Sequence, residues 1–386
     1  MKYHIALNTP CDLETIAQNA QAGKCPSHIM WEMSQLLGAK VHQPTADLVL
    51  PTDKMLAKII GHPEHWALAR KLSLQLQEDD VIYCDGEYLG FTIATLCGAK
   101  HNRPKIVVFI HNINRPRGRL ALKLFDLANR IDLFVTGFTS QAEFLRNYLG
   151  LPENRICLLS APPIDTSFFT PGLLSNKKLR PVIGSGGMEK RDYRTLAAAT
   201  EDLNVDVKIC AFSRNAIALK KTFPEIIPPN MSHGFYDWCE LVQLYRDSDL
   251  VVITMFENNY QAGLTTMFEA MACCRPVVIT RSSGIIGELI DLGIVTGVNI
   301  GDYNGLKQTI VKLLNEPQKT EIQAQRGYEF VLDQFSHNSF IKGLVSKLFS
   351  TFRSENKTKN RYFQTTLQTS FLRRKLFSGS RADFFF

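Results

Sequence analysis

Short apolar runs and amphipathic stretches alternate along the chain, the pattern of a parallel α/β protein. Residues 3–7, 81–84, 106–110, 133–135 and 156–159 read as buried strands. Helical periodicity fills the gaps, as at 66–77 and 119–129. A second series starts near Pro181, with strands predicted at 182–184, 207–210, 250–253 and 277–280 and a short last one at 294–295. Helices are predicted at 193–200, 238–245, 264–273 and 305–315, then around 328–349.

One segment breaks the alternation. Residues 161–172, APPIDTSFFTPG, hold three prolines and a glycine and cannot continue a sheet or a helix. The boundary placed there gives an N-terminal Rossmann-like domain (1–172), a second such domain (173–335) and a return helix with a basic, aromatic tail (336–386). In such a pair of Rossmann-like domains a ligand sits in the crevice between them, at the carboxyl ends of the strands.

The 386 residues suit two domains, and 45% hydrophobic with 21% charged residues is ordinary for a protein with a sizeable core. Nine cysteines without a CxxC pair fit free thiols in a reducing compartment better than a disulfide framework. The opening MKYHIALNTP lacks a secretory pattern, and no apolar run is long enough for a membrane span, so a cytoplasmic location is expected. The net charge of +7 lies entirely in residues 346–386, where basic and aromatic side chains mix. The balanced body gives no support for nucleic-acid binding. The tail suits an anionic membrane surface, and equally a solvated segment.

Two regions of the second half carry candidate chemistry. In Val182-Ile-Gly-Ser-Gly-Gly-Met-Glu-Lys-Arg191 an apolar strand runs into Gly186 and Gly187, then into Lys190 and Arg191. Glycines allow close backbone approach, the helix starting near Asp192 offers N–H groups to an anion, and the two bases would neutralise a diphosphate. A plain strand-to-helix turn with exposed bases has the same pattern. In Gln261-Ala-Gly-Leu-Thr-Thr-Met-Phe-Glu269 a loop opens a helix of small and apolar residues that carries one acid. Such a carboxylate needs a partner, either a hydroxyl-rich ligand or a buried arginine.

This stretch, continued as Glu269-Ala-Met-Ala-Cys-Cys-Arg-Pro-Val-Val-Ile-Thr280, resembles the donor-site signature of glycosyltransferase family 4, retaining enzymes of the GT-B fold. Leu244-Tyr-Arg-Asp-Ser-Asp-Leu-Val-Val-Ile253, Gly284 with Glu288, and the hinge around 155–171 are similar to other family segments, and the match covers roughly 105–349. The resemblance implies GT-B architecture, an α/β fold of two Rossmann-like domains facing a cleft. It implies transfer from a nucleoside-diphosphate sugar without metal or other cofactor. Arg191 takes the phosphate-binding basic position and Glu269 the conserved acid. Gly186, Gly187, Lys190, Gln261, Gly263, Leu264 and Thr265 fall in the donor site.

The sequence departs from the family in the N-terminal loop Asn8–Cys11, which lacks the usual Gly-Gly and so points to different acceptor handling, and at three places in the second half. Gln261 stands where the upstream acid of an E-x7-E pair belongs, with Glu257 nearby as a substitute. Gly186 stands where the phosphate loop usually has arginine. Cys274 stands where a helix-ending glycine is usual.

In the first half, the strand at 106–110 ends in His111, which the resemblance places at the transfer centre. In this acceptor-side domain Asn112 and Arg115 follow it as acceptor candidates, while Arg115, Arg117 and Arg119 suit either phosphate or solvent. Asp85 and Glu87 close the strand at 81–84 as candidate acceptor ligands. Asp247-Ser-Asp249 reads as a helix stop and His62-Pro-Glu-His65 as no zinc site. Two rival readings remain: a catalytically silent GT-B protein that binds a sugar or a protein, and a nucleotide-sugar epimerase.

Overall fold

The computed structural model describes residues 1–175, 178–213, 216, 219–258 and 261–352. Residues 1–344 form one compact unit, and a second begins at Val345. The first unit holds two six-stranded parallel sheets.

The N-terminal sheet contains β1 (Tyr3–Ala6), β2 (Lys40–His42), β3 (Val81–Cys84), β4 (Lys105–Ile110), β5 (Leu133–Thr136) and β6 (Ile156–Leu158), in the order β2-β1-β3-β4-β5-β6. The second contains β7 (Val182–Gly186), β8 (Asp206–Cys210), β9 (Met231–Gly234), β10 (Leu250–Ile253), β11 (Val277–Thr280) and β12 (Thr296–Val298), ordered β12-β11-β10-β7-β8-β9. Strand order reverses between β1 and β3 and between β7 and β10, and the carboxyl ends at such reversals are where doubly wound sheets bind ligands. Core strands such as β3, β5, β10 and β11 are buried on both faces, as their unbroken apolar runs require.

The edge strands β2 and β9 escape the sequence reading because KVH and MSHG present no apolar run. The last strand lies at Thr296–Val298, beyond the expected 294–295, because those two residues follow the turn at Gly293 (φ +66°). The helix expected at 119–129 is two, Pro116–Leu124 and Leu127–Arg130, parted by Asp126 in the left-handed region (φ +50°). The helix expected around 328–349 is likewise two, Pro317–Gln334 and His337–Phe352. The Pro-rich segment 161–172 threads into their break: Ile164 N–H donates to Phe335 O at 2.7 Å, and His337 N–H donates to Ile164 O at 3.0 Å.

Among the described residues no helix is long and apolar enough to cross a membrane. The basic and aromatic positions from Arg353 onward lie outside the described residues.

The helix Leu264–Ala272 ends in a Schellman turn. Cys274 N–H donates to Met271 O at 2.9 Å and Arg275 N–H to Ala270 O at 3.0 Å, with Cys274 itself at φ +55°. A side chain in that conformation costs roughly 1–2 kcal/mol. Cys274→Gly is therefore expected to stabilise the protein by about 0.5–1 kcal/mol after the entropic cost of glycine. Denaturant titration checks this as a raised midpoint at unchanged slope.

Candidate active site

On the second sheet, β7 delivers its chain to the cleft at Gly186. Gly187 follows at φ +84°, and a Cβ there would come within 2.8 Å of the Arg191 guanidinium. Arg191 is buried, with 3% of its surface exposed, yet it borders the cleft. Its Nε donates to Gly186 O (2.8 Å), one terminal nitrogen to Glu189 O (2.9 Å) and the other to Thr266 Oγ1 (3.1 Å). The guanidinium is thus fixed by backbone before any ligand arrives.

The helix Tyr193–Thr200 does not offer the anion site expected of it. Its N-cap Asp192 accepts from Thr195 N–H and Oγ1–H, and Tyr193 N–H donates to Thr222 O. A carboxylate at that end repels an anion. The helix N-terminus facing the cleft is instead that of Leu264–Ala272. Its N-cap is Gly263 (φ +92°), which supplies no side-chain cap, and Leu264, Thr265 and Thr266 border the cleft. A helix start without a side-chain cap, together with the helix dipole, favours negative charge there.

One turn into this helix, Glu269 accepts from Tyr245 Oη at 2.9 Å. Burial pushes its carboxyl up to about 7, against the opposing pull of the Tyr245 hydrogen bond and of Arg191 through space. Its partner is therefore a tyrosine rather than a buried arginine. Gln261 also borders the cleft, and its side chain lies over Gly284, whose missing Cβ makes room for it.

On the N-terminal sheet, Glu87 opens the helix Glu87–Leu96 and is itself buried. It accepts from His111 N–H and from His111 Nδ1–H, both at 3.1 Å, and from Asn112 N–H at 3.4 Å. Burial opposes ionisation of Glu87, but the His111 hydrogen bonds prevail and hold it below the usual carboxylate range. With Nδ1–H given to Glu87, His111 keeps Nε2 free of that contact. Phe109 packs edge-on against the imidazole, ring centroids 4.8 Å apart.

Asp85 sits at the end of β3, beside β1 at the strand-order reversal, and accepts from Asn8 N–H. His65 Nε2 in turn holds Asn8 O at 2.8 Å. Burial pushes the Asp85 carboxyl up to about 6, opposed by the Asn8 bond and by His111.

One cavity of about 1130 Å³ brings Asp85, His111, Gly186, Gly187, Arg191, Gln261, Gly263, Leu264, Thr265 and Glu269 together. Lys190, Glu87, Asn112 and Arg115 are not among the residues that border it. Lys190 adopts φ +54°, and its carbonyl accepts from Phe256 N–H. Glu87 is turned toward His111 rather than toward an acceptor. The Asn112 amide, oriented so that its oxygen accepts, takes hydrogen bonds from Arg115 at 3.1 and 3.2 Å. Glu257, the candidate substitute for an acid at position 261, is exposed in the loop past β10 and is not among the residues that border the cavity. The acids of Asp247-Ser-Asp249 serve structure: Asp247 accepts from Ser175, and Asp249 from Val182 N–H and Lys178.

The sequence reading missed Tyr245, Thr266, Asn8 and His65, which hold Glu269, Arg191 and Asp85. Tyr245 left a signal as the tyrosine before Asp249 in the strand motif, and Asn8 opens the loop that departs from the family pattern.

If Glu87 positions His111, Glu87→Gln is expected to lower kcat of sugar transfer by about tenfold with KM nearly unchanged. Glu87→Asp should recover part of that loss. Steady-state kinetics with a fixed donor checks this, and a purely structural role would appear in the melting temperature instead.

By sequence alone the chain matches none of the curated proteins. Solved structures match it throughout the fold. Sucrose-phosphate synthase from Thermosynechococcus elongatus aligns at TM-score 0.65 and 14% identity, covering 91% of this chain and 100% of the other. Anabaena HepE in complex with UDP and glucose aligns at TM-score 0.64 and 17% identity, covering 91% and 100%. The E. coli trehalose-6-phosphate protein bound with UDP-2-fluoro glucose aligns at TM-score 0.65 and 14% identity, covering 90% and 99%. These likenesses establish the GT-B fold. Residues 213–316, which include Gly263, Glu269 and Tyr245, match the family model described as Glycosyl transferases group 1. The chain thus has the GT-B fold, and its residues 213–316 match the group 1 glycosyl transferase model.

Proposed function

We propose that the protein transfers a sugar from a nucleoside-diphosphate sugar to an acceptor hydroxyl with retention of configuration. The observation that carries this reading is the convergence of Arg191, the uncapped end of the helix Leu264–Ala272 and Glu269 on one cavity, opposite His111 and Asp85. The diphosphate sits against Arg191 and the free helix N–H groups, and the ribose hydroxyls donate to Glu269. The bond from the anomeric carbon to the diphosphate oxygen breaks, and its electron pair leaves with the diphosphate. The acceptor oxygen bonds to the same face, and its proton passes to the departing phosphate oxygen. Donors fixed before the reaction stabilise the leaving charge without reorganising, usually the largest catalytic contribution. Two structural neighbours, HepE with UDP and glucose and the E. coli protein with UDP-2-fluoro glucose, carry such ligands and support a uridine nucleotide as the first donor to try.

The alternative of a silent sugar-binding GT-B protein draws on Gln261, whose buried Oε1 finds no hydrogen-bond donor among the described residues. A panel of UDP-, GDP- and ADP-sugars in thermal-shift assays separates the readings when followed by NMR of the product's anomeric centre. A donor at 100 times its Kd adds about 2.7 kcal/mol of apparent stability. Binding with turnover and a retained anomer is the expected result. Binding without turnover for any acceptor supports the silent protein, interconversion of the sugar without an acceptor supports an epimerase, and an inverted anomer rejects retention.

A further inference from the structure

Resting on the reading of the cleft as a sugar-transfer site, we infer that its acceptor is an uncharged hydroxyl compound bearing an apolar chain or ring, and not a sugar phosphate. The N-terminal domain is described without a break to Ser175, so the charge of its wall can be read in full. That wall contributes the charged or imidazole side chains Asp85, His28 and His111 and no lysine or arginine. His28 accepts from Met30 N–H at 3.2 Å through Nδ1. The His111 imidazole is already paired with Glu87. A phosphate on this wall would face the Asp85 carboxylate, and among the described residues of the wall no guanidinium or ammonium is placed to neutralise it; an unpaired dianion out of water is costly. Arg191 stands on the opposite wall, where the donor diphosphate needs it. A neutral hydroxyl, by contrast, can donate to Asp85 and accept from an imidazole.

The rest of the wall favours carbon. The Phe109 ring meets Phe340 with centroids 6.1 Å apart, and Met30, Ile29 and half-buried Phe138 continue the apolar surface around the polar cluster. An acceptor with a hydrocarbon portion gains from covering it. The nearby bases Arg115, Arg117 and Arg119 are exposed and do not border the cavity.

The test is calorimetric titration of the full chain with glucose, glucose 6-phosphate and octyl β-D-glucoside below its micelle concentration, each with and without saturating UDP. Octyl β-D-glucoside is expected to bind at least about tenfold tighter than glucose, and glucose 6-phosphate no tighter than glucose. Phe138→Ser should reduce the octyl advantage at least about threefold while leaving UDP binding unchanged. Tighter binding of glucose 6-phosphate than of glucose overturns the inference. So does an octyl glycoside no better than glucose, or an octyl advantage that survives Phe138→Ser. Failure of UDP itself to bind counts against the donor reading instead, and the three sugars still report on this wall without it.

Discussion

Arg191→Ala is expected to lower sugar transfer by about 10²–10³-fold, the effect of deleting one preorganised donor to a developing negative charge. The loss should fall on kcat more than on KM, because the diphosphate gains charge as the bond to the sugar breaks. The same side chain also holds the loop, since it binds Gly186 O, Glu189 O and Thr266 Oγ1. Removing it leaves buried carbonyls short of a donor, at a cost of about 1–3 kcal/mol. Arg191→Lys separates the two roles. Lysine keeps the charge but cannot reach three acceptors in a planar fork, so it should restore part of kcat and little of the stability. Equal rates for both variants and wild type at saturating donor would remove Arg191 from the chemistry.

Glu269→Gln is the second large effect, and its signature is pH dependence. Burial raises this carboxyl to about 7 in the free protein, so near neutrality it is divided between the acid and the carboxylate. Only the carboxylate can accept from two ribose hydroxyls while it accepts from Tyr245. Donor affinity is therefore expected to rise about tenfold per pH unit below 7 and to level off above it, with a proton released on binding. In Glu269→Gln that slope disappears, and affinity at pH 8 falls by about 10–100-fold, the worth of hydrogen bonds to a charged acceptor. Calorimetry in two buffers of different ionisation enthalpy measures the proton directly.

The free protein should show the reverse trend. Between 4.5, its ordinary value, and about 7, native Glu269 holds a proton that the unfolded chain has lost. Stability from this group is full below that window and falls as pH rises through it. Asp85, raised to about 6, contributes in the same sense. The difference between wild type and Glu269→Gln isolates the Glu269 part, and the variant should gain stability relative to wild type as pH rises.

Both effects depend on distances that no run of sequence displays. Glu269 was conspicuous as the one acid in an apolar helix, but its hydrogen-bond partner Tyr245 lies 24 positions away and meets it only because the helix Trp238–Asp247 packs beside β7. The anion-binding helix end was misplaced for a related reason. Asp192 reads equally well as the start of an open helix or as its cap, and only the folded side chain, turned back on Thr195, shows which. Glu87 looked like a cleft residue because it follows a strand end, yet its carboxylate turns to the His111 backbone and ring.

The sequence by itself determined the α/β class and ten of the twelve strands to within a few residues, and the family resemblance marked the helix end at Cys274, where φ is positive. It could do so because apolar runs, prolines and glycine-like positions act through local backbone and burial preferences. The tertiary structure alone decided which side chains share the cavity, which carboxyls are raised and which helix end is free. Those properties come from strand order and from contacts between residues tens to hundreds of positions apart, and composition and periodicity do not record them.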